Sequence, residues 1–172
     1  MFLYSIIINL IAAIIAYFIM KYATIQNLKI PNIVEYFSIY GLTSISLILI
    51  YIKGFYNNAL LLEMLITFIY ILYYLRSIDS SRKKYHERFR SMILSFGYTR
   101  SSYFESFLSK KIINKILESF FYGVGIHFLF NVLLMDFHDE LNILTIIIPT
   151  IFFFISSLMK TLKTGKLYKV VK

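Results

Sequence analysis

The sequence predicts an all-α integral membrane protein with about five transmembrane helices and an amphipathic cytoplasmic segment between the third and the fourth. Three observations carry that expectation. Of 172 residues, 59% are hydrophobic and only 16% are charged, and the mean hydropathy is +0.71, well outside the composition of soluble domains. The apolar residues fall into runs close to the ~20 residues that cross a bilayer as a helix. The 18 Lys and Arg residues outnumber the Asp and Glu residues two to one and gather between the runs rather than within them. This pattern excludes a soluble enzyme, a collagen-like fibre and a disordered tail. The lack of cysteine excludes a disulfide framework, a thiolate metal site and a catalytic cysteine.

Residues 1–20 form the first run, interrupted only by Ser5 and Asn9 and ended at Lys21. No basic residue precedes it, and bulky side chains continue through Tyr17, Phe18, Ile19 and Met20, so it reads as a retained helix rather than a cleaved signal peptide. Residues 21–32 read as a polar loop ending near Pro31, a residue suited to the start of a helix. The second span covers about 34–52. Residues 53–58 combine Gly54 with Asn57 and Asn58, which tolerate turn dihedrals, so they join two antiparallel helices closely. Span three covers about 59–75, with Glu63 as its one charge, and span four about 116–135. After the acidic loop of Asp136, Phe137, His138, Asp139 and Glu140, span five covers about 141–159 and leads into a lysine-rich tail. Positive flanks prefer the cytoplasm, which puts 76–115, 21–32 and the C-terminus inside and the acidic loop outside.

The segment 76–115 carries the most information. Phe89, Met92, Ile93 and Phe96 follow helical spacing, while Arg82, Arg88 and Arg90 lie on other faces. Gly97 falls where a helix would stop, since glycine readily takes the left-handed conformation of a C-terminal cap. Thr99 or Ser101 can cap a new helix, which Phe104, Phe107, Leu108, Lys111 and Ile112 continue. A helix, a glycine corner and a second helix are therefore expected at the inner face. Two readings fit it: an amphipathic re-entry flanked by positive charge, and a docking surface for a cytoplasmic partner.

The string from His86 to Lys111 resembles the signature of FtsX-like permeases, the MacB/LolC/BceB group of ABC transporter membrane subunits. The matching residues are Glu87, Arg88, Arg90, Ile93, Leu94, Gly97, Tyr98, Thr99, Arg100 and Tyr103. The resemblance covers about residues 59–172 and includes the spacing of the spans and a basic tail. It departs from the family in having only residues 53–58 where a large extracytoplasmic domain usually stands, and no proline in the tail. It also implies a division into an extra N-terminal helix and loop, 1–32, and a permease module, 33–172, whose coupling segment is 76–115.

What the resemblance implies is a non-catalytic subunit in a bacterial cell membrane, coupled to a cytoplasmic ABC ATPase dimer. The coupling residues would be Glu87, Arg88, Arg90, Gly97, Tyr98, Thr99, Arg100, Tyr103, Phe104 and Phe107. No Walker A string is present, so this chain binds no cofactor directly, and ATP and Mg would sit on the partner ATPase. A second permease, either this chain again or a larger paralogue, would complete the pair. The cargo implied is hydrophobic or amphipathic, such as an antimicrobial peptide. The alternative, from a different class, is a small membrane protein that acts as a toxin or bacteriocin immunity protein without an ATPase.

Polar groups inside the spans form the second candidate set, a helix interface or substrate path. Ser119, Gly123, His127 and Asn131 recur every four residues and so share one stripe, and Glu63 lies a turn inside span three. Glu118 is expected to pair with Lys115. His86, His127 and His138 are too scattered in this topology to share a metal. No Ser-His-Asp set, paired catalytic carboxylates or nucleic-acid module is visible. Membrane lipid accounts for the basic tract without nucleic acid.

Overall fold

The computed structural model describes residues 2–55, 59–137 and 146–155, apart from the side chains of 54–55, 59, 84–88 and 134–137. The described residues are helical, with no strand among them. In chain order they form α1 (Phe2–Ile25), a 3-10 turn (Asn32–Tyr36), α2 (Ile39–Phe55) and α3 (Ala59–Ser95). There follow α4 (Arg100–Tyr103), a π-helical turn (Phe104–Leu108), α5 (Ser109–Phe137) and α6 (Ile146–Ile155).

Three stretches are long and apolar enough to cross a membrane: Phe2–Ile25, Leu60–Lys83 and Arg100–Leu133. The apolar helices Ile39–Lys53 and Ile146–Ile155 are shorter. The described residues are helical as predicted, with three helices long and apolar enough to cross a membrane where about five spans were expected. Residues 56–58, most of the acidic loop and the lysine-rich tail lie outside the described residues.

Boundaries moved for local reasons. The expected loop at 21–32 is helical as far as Ile25, because nothing from Lys21 to Ile25 breaks a helix. The chain then turns at Asn27, which takes φ +57. Leu28 N–H bonds to Ala23 O at 2.8 Å and Asn27 N–H to Thr24 O at 3.2 Å, the paired bonds of a helix ending on a left-handed residue. Pro31 precedes the 3-10 turn as its cap, as the sequence predicts for a helix start. Nor does α3 break at Arg76. The change from apolar to basic composition carries no Gly or Pro, so the hydrogen-bond ladder runs on for 37 residues until Gly97 is near.

α1 and α2 each pack against both α3 and α5, and α1 also lies against α3 along much of its length. The inward face of α1 is small or polar, with Ser5, Asn9, Ala12, Ala13 and Ala16 at helical spacing, which lets the backbones approach closely. Its outward face exposes Leu3, Ile7, Leu10, Ile14 and Phe18. That is the arrangement expected of a helix whose outer solvent is lipid, where apolar contact between helices brings little gain and packing and hydrogen bonds hold them. Ala12, Ala16 and Met20 enter the same core as Tyr70, Tyr74, Phe104 and Leu108. The extra N-terminal helix is thus part of the packed body rather than an appendage to it.

Candidate functional site

The first candidate site is the corner between α3 and α5. Gly97 takes φ +86, and its N–H bonds to Leu94 O at 3.1 Å, closing α3. Two residues later Thr99 is the N-cap of α4, its hydroxyl accepting from Ser102 N–H at 3.3 Å. The helix, glycine corner and capped helix expected from the sequence are all present, and Thr99 rather than Ser101 is the cap. The two arms are clasped by rings: Phe89 meets Phe107 with centroids 5.7 Å apart, and Phe107 stacks on Tyr103 at 5.9 Å.

The coupling residues divide by position. Tyr98, Thr99 and Arg100 are exposed at the corner, and Arg90 donates to Asn27 Oδ1 at 2.8 Å. Tyr103 and Phe104 point the other way, 2% and 0% exposed, with Phe104 in ring contact with Tyr17 of α1. Phe107 is half-buried in the clasp. Tyr103 and Phe104 thus brace the corner from within, while Phe107 keeps part of its ring exposed. The side chains of Glu87 and Arg88 lie outside the described residues, although their backbone is within α3. The surface that the corner does offer is made by Met92, Phe96 and Tyr98, which are 51%, 73% and 50% exposed. Phe96 and Met92 were legible as an apolar face, but the sequence alone did not separate the inward from the outward ring.

The second candidate site is the polar stripe on α5. All four of its members are buried, and they form the rungs of a column between α1, α3 and α5. His127 Nδ1 and Ser5 Oγ are 2.8 Å apart. Asn131 Nδ2 donates to His127 O at 2.7 Å, and the His127 ring sits edge-on to Tyr70 with centroids 5.6 Å apart. One level along, Asn9 Nδ2 donates to Ser5 O at 2.9 Å while its Oδ1 accepts from Tyr74 OH at 2.9 Å. Gly123 faces this pair and has no room for a side chain: a Cβ there would stand 2.4 Å from Asn9 Oδ1 and 3.0 Å from Tyr74 OH. The third level is the hydrogen bond between Ser77 and Ser119. In lipid an unpaired buried polar group has no water to turn to, so these bonds fix which faces meet.

Glu63 pairs with Lys53 across α3 and α2 at 2.9 Å, and Lys53 lies 5.5 Å from the ring centroid of Tyr4. This group closes the end of the bundle opposite the corner. At the corner end, Lys21 bridges to Glu105 at 2.9 Å, and Lys83 to Asp79 at 3.0 Å and Glu35 at 2.9 Å. The expected Lys115–Glu118 pair is present at 2.6 Å.

Chemically, the column pairs buried donors and acceptors on different helices, an arrangement suited to holding the helices in register. Among the described residues, no group of three or more His, Asp or Glu side chains is brought together that could hold a metal ion. His138 lies outside the described residues, as does the side chain of His86. Sequence reasoning left Asn9 without a partner and missed Ser5, Tyr74 and Ser77. The signal was there: Ser5 and Asn9 are four apart on α1, and Tyr70, Tyr74 and Ser77 recur at three and four on α3, the same periodicity that singled out the stripe on α5. Comparison of the chain with protein-family models, with curated proteins and with solved structures finds no match.

Proposed function

We propose that the chain is the membrane-spanning permease subunit of an ABC transporter, of the FtsX-like kind, which couples ATP hydrolysis by a separate ATPase to expulsion of a hydrophobic or amphipathic substrate. The observation that supports this reading most is the corner. α3 continues from the end of its apolar stretch at Lys83 to Ser95, which at 1.5 Å per residue carries Gly97 about 20 Å beyond the end of that stretch. There it exposes Met92, Phe96 and Tyr98 on a clasped, capped turn whose two arms are the continuous helices α3 and α4–α5. A push on that turn is delivered along both helices as rigid bodies, which is what coupling to an ATPase requires.

In this reading the corner, the α1–α2 loop and the C-terminus face the cytoplasm of a bacterial cell. Lys21, Lys29, Arg82, Lys83 and Arg90 all gather at the corner end, in keeping with the preference of positive residues for that side. α2 and the segment beginning with α6 complete five spans. The apolar outer faces and the partnered polar column favour an amphipathic cargo such as an antimicrobial peptide over a polar solute. A second permease subunit, identical or larger, supplies the other half of the path.

The test is to extract the tagged chain gently from its native membrane, with and without a non-hydrolysable ATP analogue, and to identify co-purifying proteins by mass spectrometry. An ABC ATPase in stoichiometric amount is expected with the wild type. The Met92→Asp/Phe96→Asp variant, with unchanged helix content, should recover at least about tenfold less, since a charge placed in an apolar contact loses several kcal/mol. An absence of ATPase under both nucleotide conditions, or equal recovery by the variant, overturns the proposal. Recovery of a toxin in place of an ATPase would establish the immunity-protein alternative.

A further inference from the structure

A cleft of about 440 Å³ opens between the loop that follows α1 and the Lys83 end of α3's apolar stretch. Asn27, Lys29 and Asn32 line one wall, and Arg82, Lys83 and Arg90 the other. Lys83 and Arg90 are seven residues apart and so share a helix face. The cations are held in place by the wall opposite. Arg90 donates to Asn27 Oδ1 at 2.8 Å, Arg82 to Leu28 O at 3.3 Å, and Lys83 to Glu35 at 2.9 Å. Arg82 also pairs with Asp79 at 2.8 Å. Lys29 pairs with no acid among the described residues.

Among the described residues, four cations therefore meet two carboxylates, Glu35 and Asp79, an excess of positive charge. Each guanidinium retains free N–H donors in the fork geometry that matches phosphate oxygens. Because these side chains are already ordered, an anion entering the cleft loses less of its binding free energy to side-chain ordering. Two further features say what kind of anion fits. The cleft is lined by Lys83, the last residue of the spanning stretch Leu60–Lys83, and both Leu28, in its lining, and Ile33, next in sequence to its Asn32, are exposed. A free phosphate would leave both apolar side chains in water, whereas acyl chains would cover them.

We infer that this cleft binds the phosphate of an anionic phospholipid, with the headgroup between Lys29 and Arg90 and the acyl chains over Leu28 and Ile33. The inference depends on insertion of α3 in a bilayer and is independent of any ATPase.

The full-length chain in a neutral detergent, titrated with a short-chain phosphatidylglycerol, the matching phosphatidylcholine and inorganic phosphate, tests it by native mass spectrometry. Phosphatidylglycerol is expected to bind at least about tenfold more tightly than phosphatidylcholine. The Lys29→Gln/Arg90→Gln variant should lose about 25-fold, at about fivefold per cation near a membrane surface. A Lys110→Gln/Lys111→Gln variant, with the same loss of charge on α5, should lose less than about twofold. Should the first variant prove poorly folded, Lys29→Gln alone carries the test, with a loss of about fivefold, and Lys29→Arg should keep wild-type binding. Equal affinity for both lipids, equal losses in the two double variants, or no loss in Lys29→Gln would overturn the inference. Inorganic phosphate competing as well as phosphatidylglycerol would show a site for soluble phosphate and would likewise overturn it.

Discussion

Two glycines on α5, two residues apart, should respond to alanine in opposite directions. A Cβ at Gly123 would stand 2.4 Å from Asn9 Oδ1, while one at Gly125 meets nothing within 4 Å. Asn9 cannot swing aside freely, because its amide is pinned by Ser5 O at 2.9 Å on one side and Tyr74 OH at 2.9 Å on the other. Gly123→Ala must therefore both strain the contact between α1 and α5 and break the Asn9–Tyr74 bond. Overpacking of this kind costs about 1–3 kcal/mol, and the lost interhelical hydrogen bond about 0.6–2 kcal/mol more. The better helix propensity of alanine returns about 1 kcal/mol, leaving a net loss of about 1–4 kcal/mol. At about 2–4 °C per kcal/mol for a chain of this size, Tm in mild detergent, followed by far-ultraviolet circular dichroism, should fall by about 2–15 °C. Gly125→Ala meets no obstruction and should leave Tm unchanged or raise it by a few degrees. On an Asn9→Ala background the Gly123→Ala penalty should shrink by at least about 1 kcal/mol, since its principal obstacle is gone. Gly123→Ala behaving like Gly125→Ala, or the Asn9 and Gly123 effects simply adding, would refute the packing of α1 on α3 and α5 described above.

Two further substitutions probe the corner end. Gly97→Val should lower stability by about 1–2 kcal/mol through its φ of +86 alone, because a Cβ there would meet nothing within 4 Å beyond its chain neighbours; Gly97→Asn should restore most of the loss, and equal Tm values for the two variants would argue against a left-handed corner. Asp79→Ala removes a nearly buried carboxylate paired with Arg82 at 2.8 Å and Lys83 at 3.0 Å, leaving two cations against one remaining acid, Glu35; a loss of about 2–4 kcal/mol is expected in thermal unfolding, and a change below about 0.5 kcal/mol would show the pair to be solvated.

The parts of the site that depend on local backbone were legible in the sequence. The end of α3 at Gly97 and the new cap at Thr99 need only a residue free to take positive φ and a hydroxyl three residues before an N–H. The stripe of Ser119, Gly123, His127 and Asn131 needed only the four-residue period. What that period faces was not legible. Its partners Ser5, Asn9, Tyr74 and Ser77 lie between 42 and 122 residues away along the chain, and which of two helix faces meets another is set by how the whole bundle packs. The same holds for Tyr103 and Phe104. The resemblance made both coupling residues, and the approach of α1, through Tyr17 and the Lys21–Glu105 bridge, turns that side of the corner inward.

By itself, the sequence determined that the chain is helical and apolar enough to cross a membrane, where its positive charge lies, and where its helices are capped and broken. These are sums over composition, period and single-residue dihedral preference, and they need no neighbour in space. Only the tertiary structure decided that the N-terminal helix belongs to the core, that α3 runs unbroken through the change in composition, and that the polar stripe is satisfied rung by rung. It also brought the loop after α1 against α3 to make a cationic cleft. Each of these depends on the register between helices far apart in sequence. That register is selected by small residues that let backbones approach and by buried donors that must find an acceptor once lipid has replaced water.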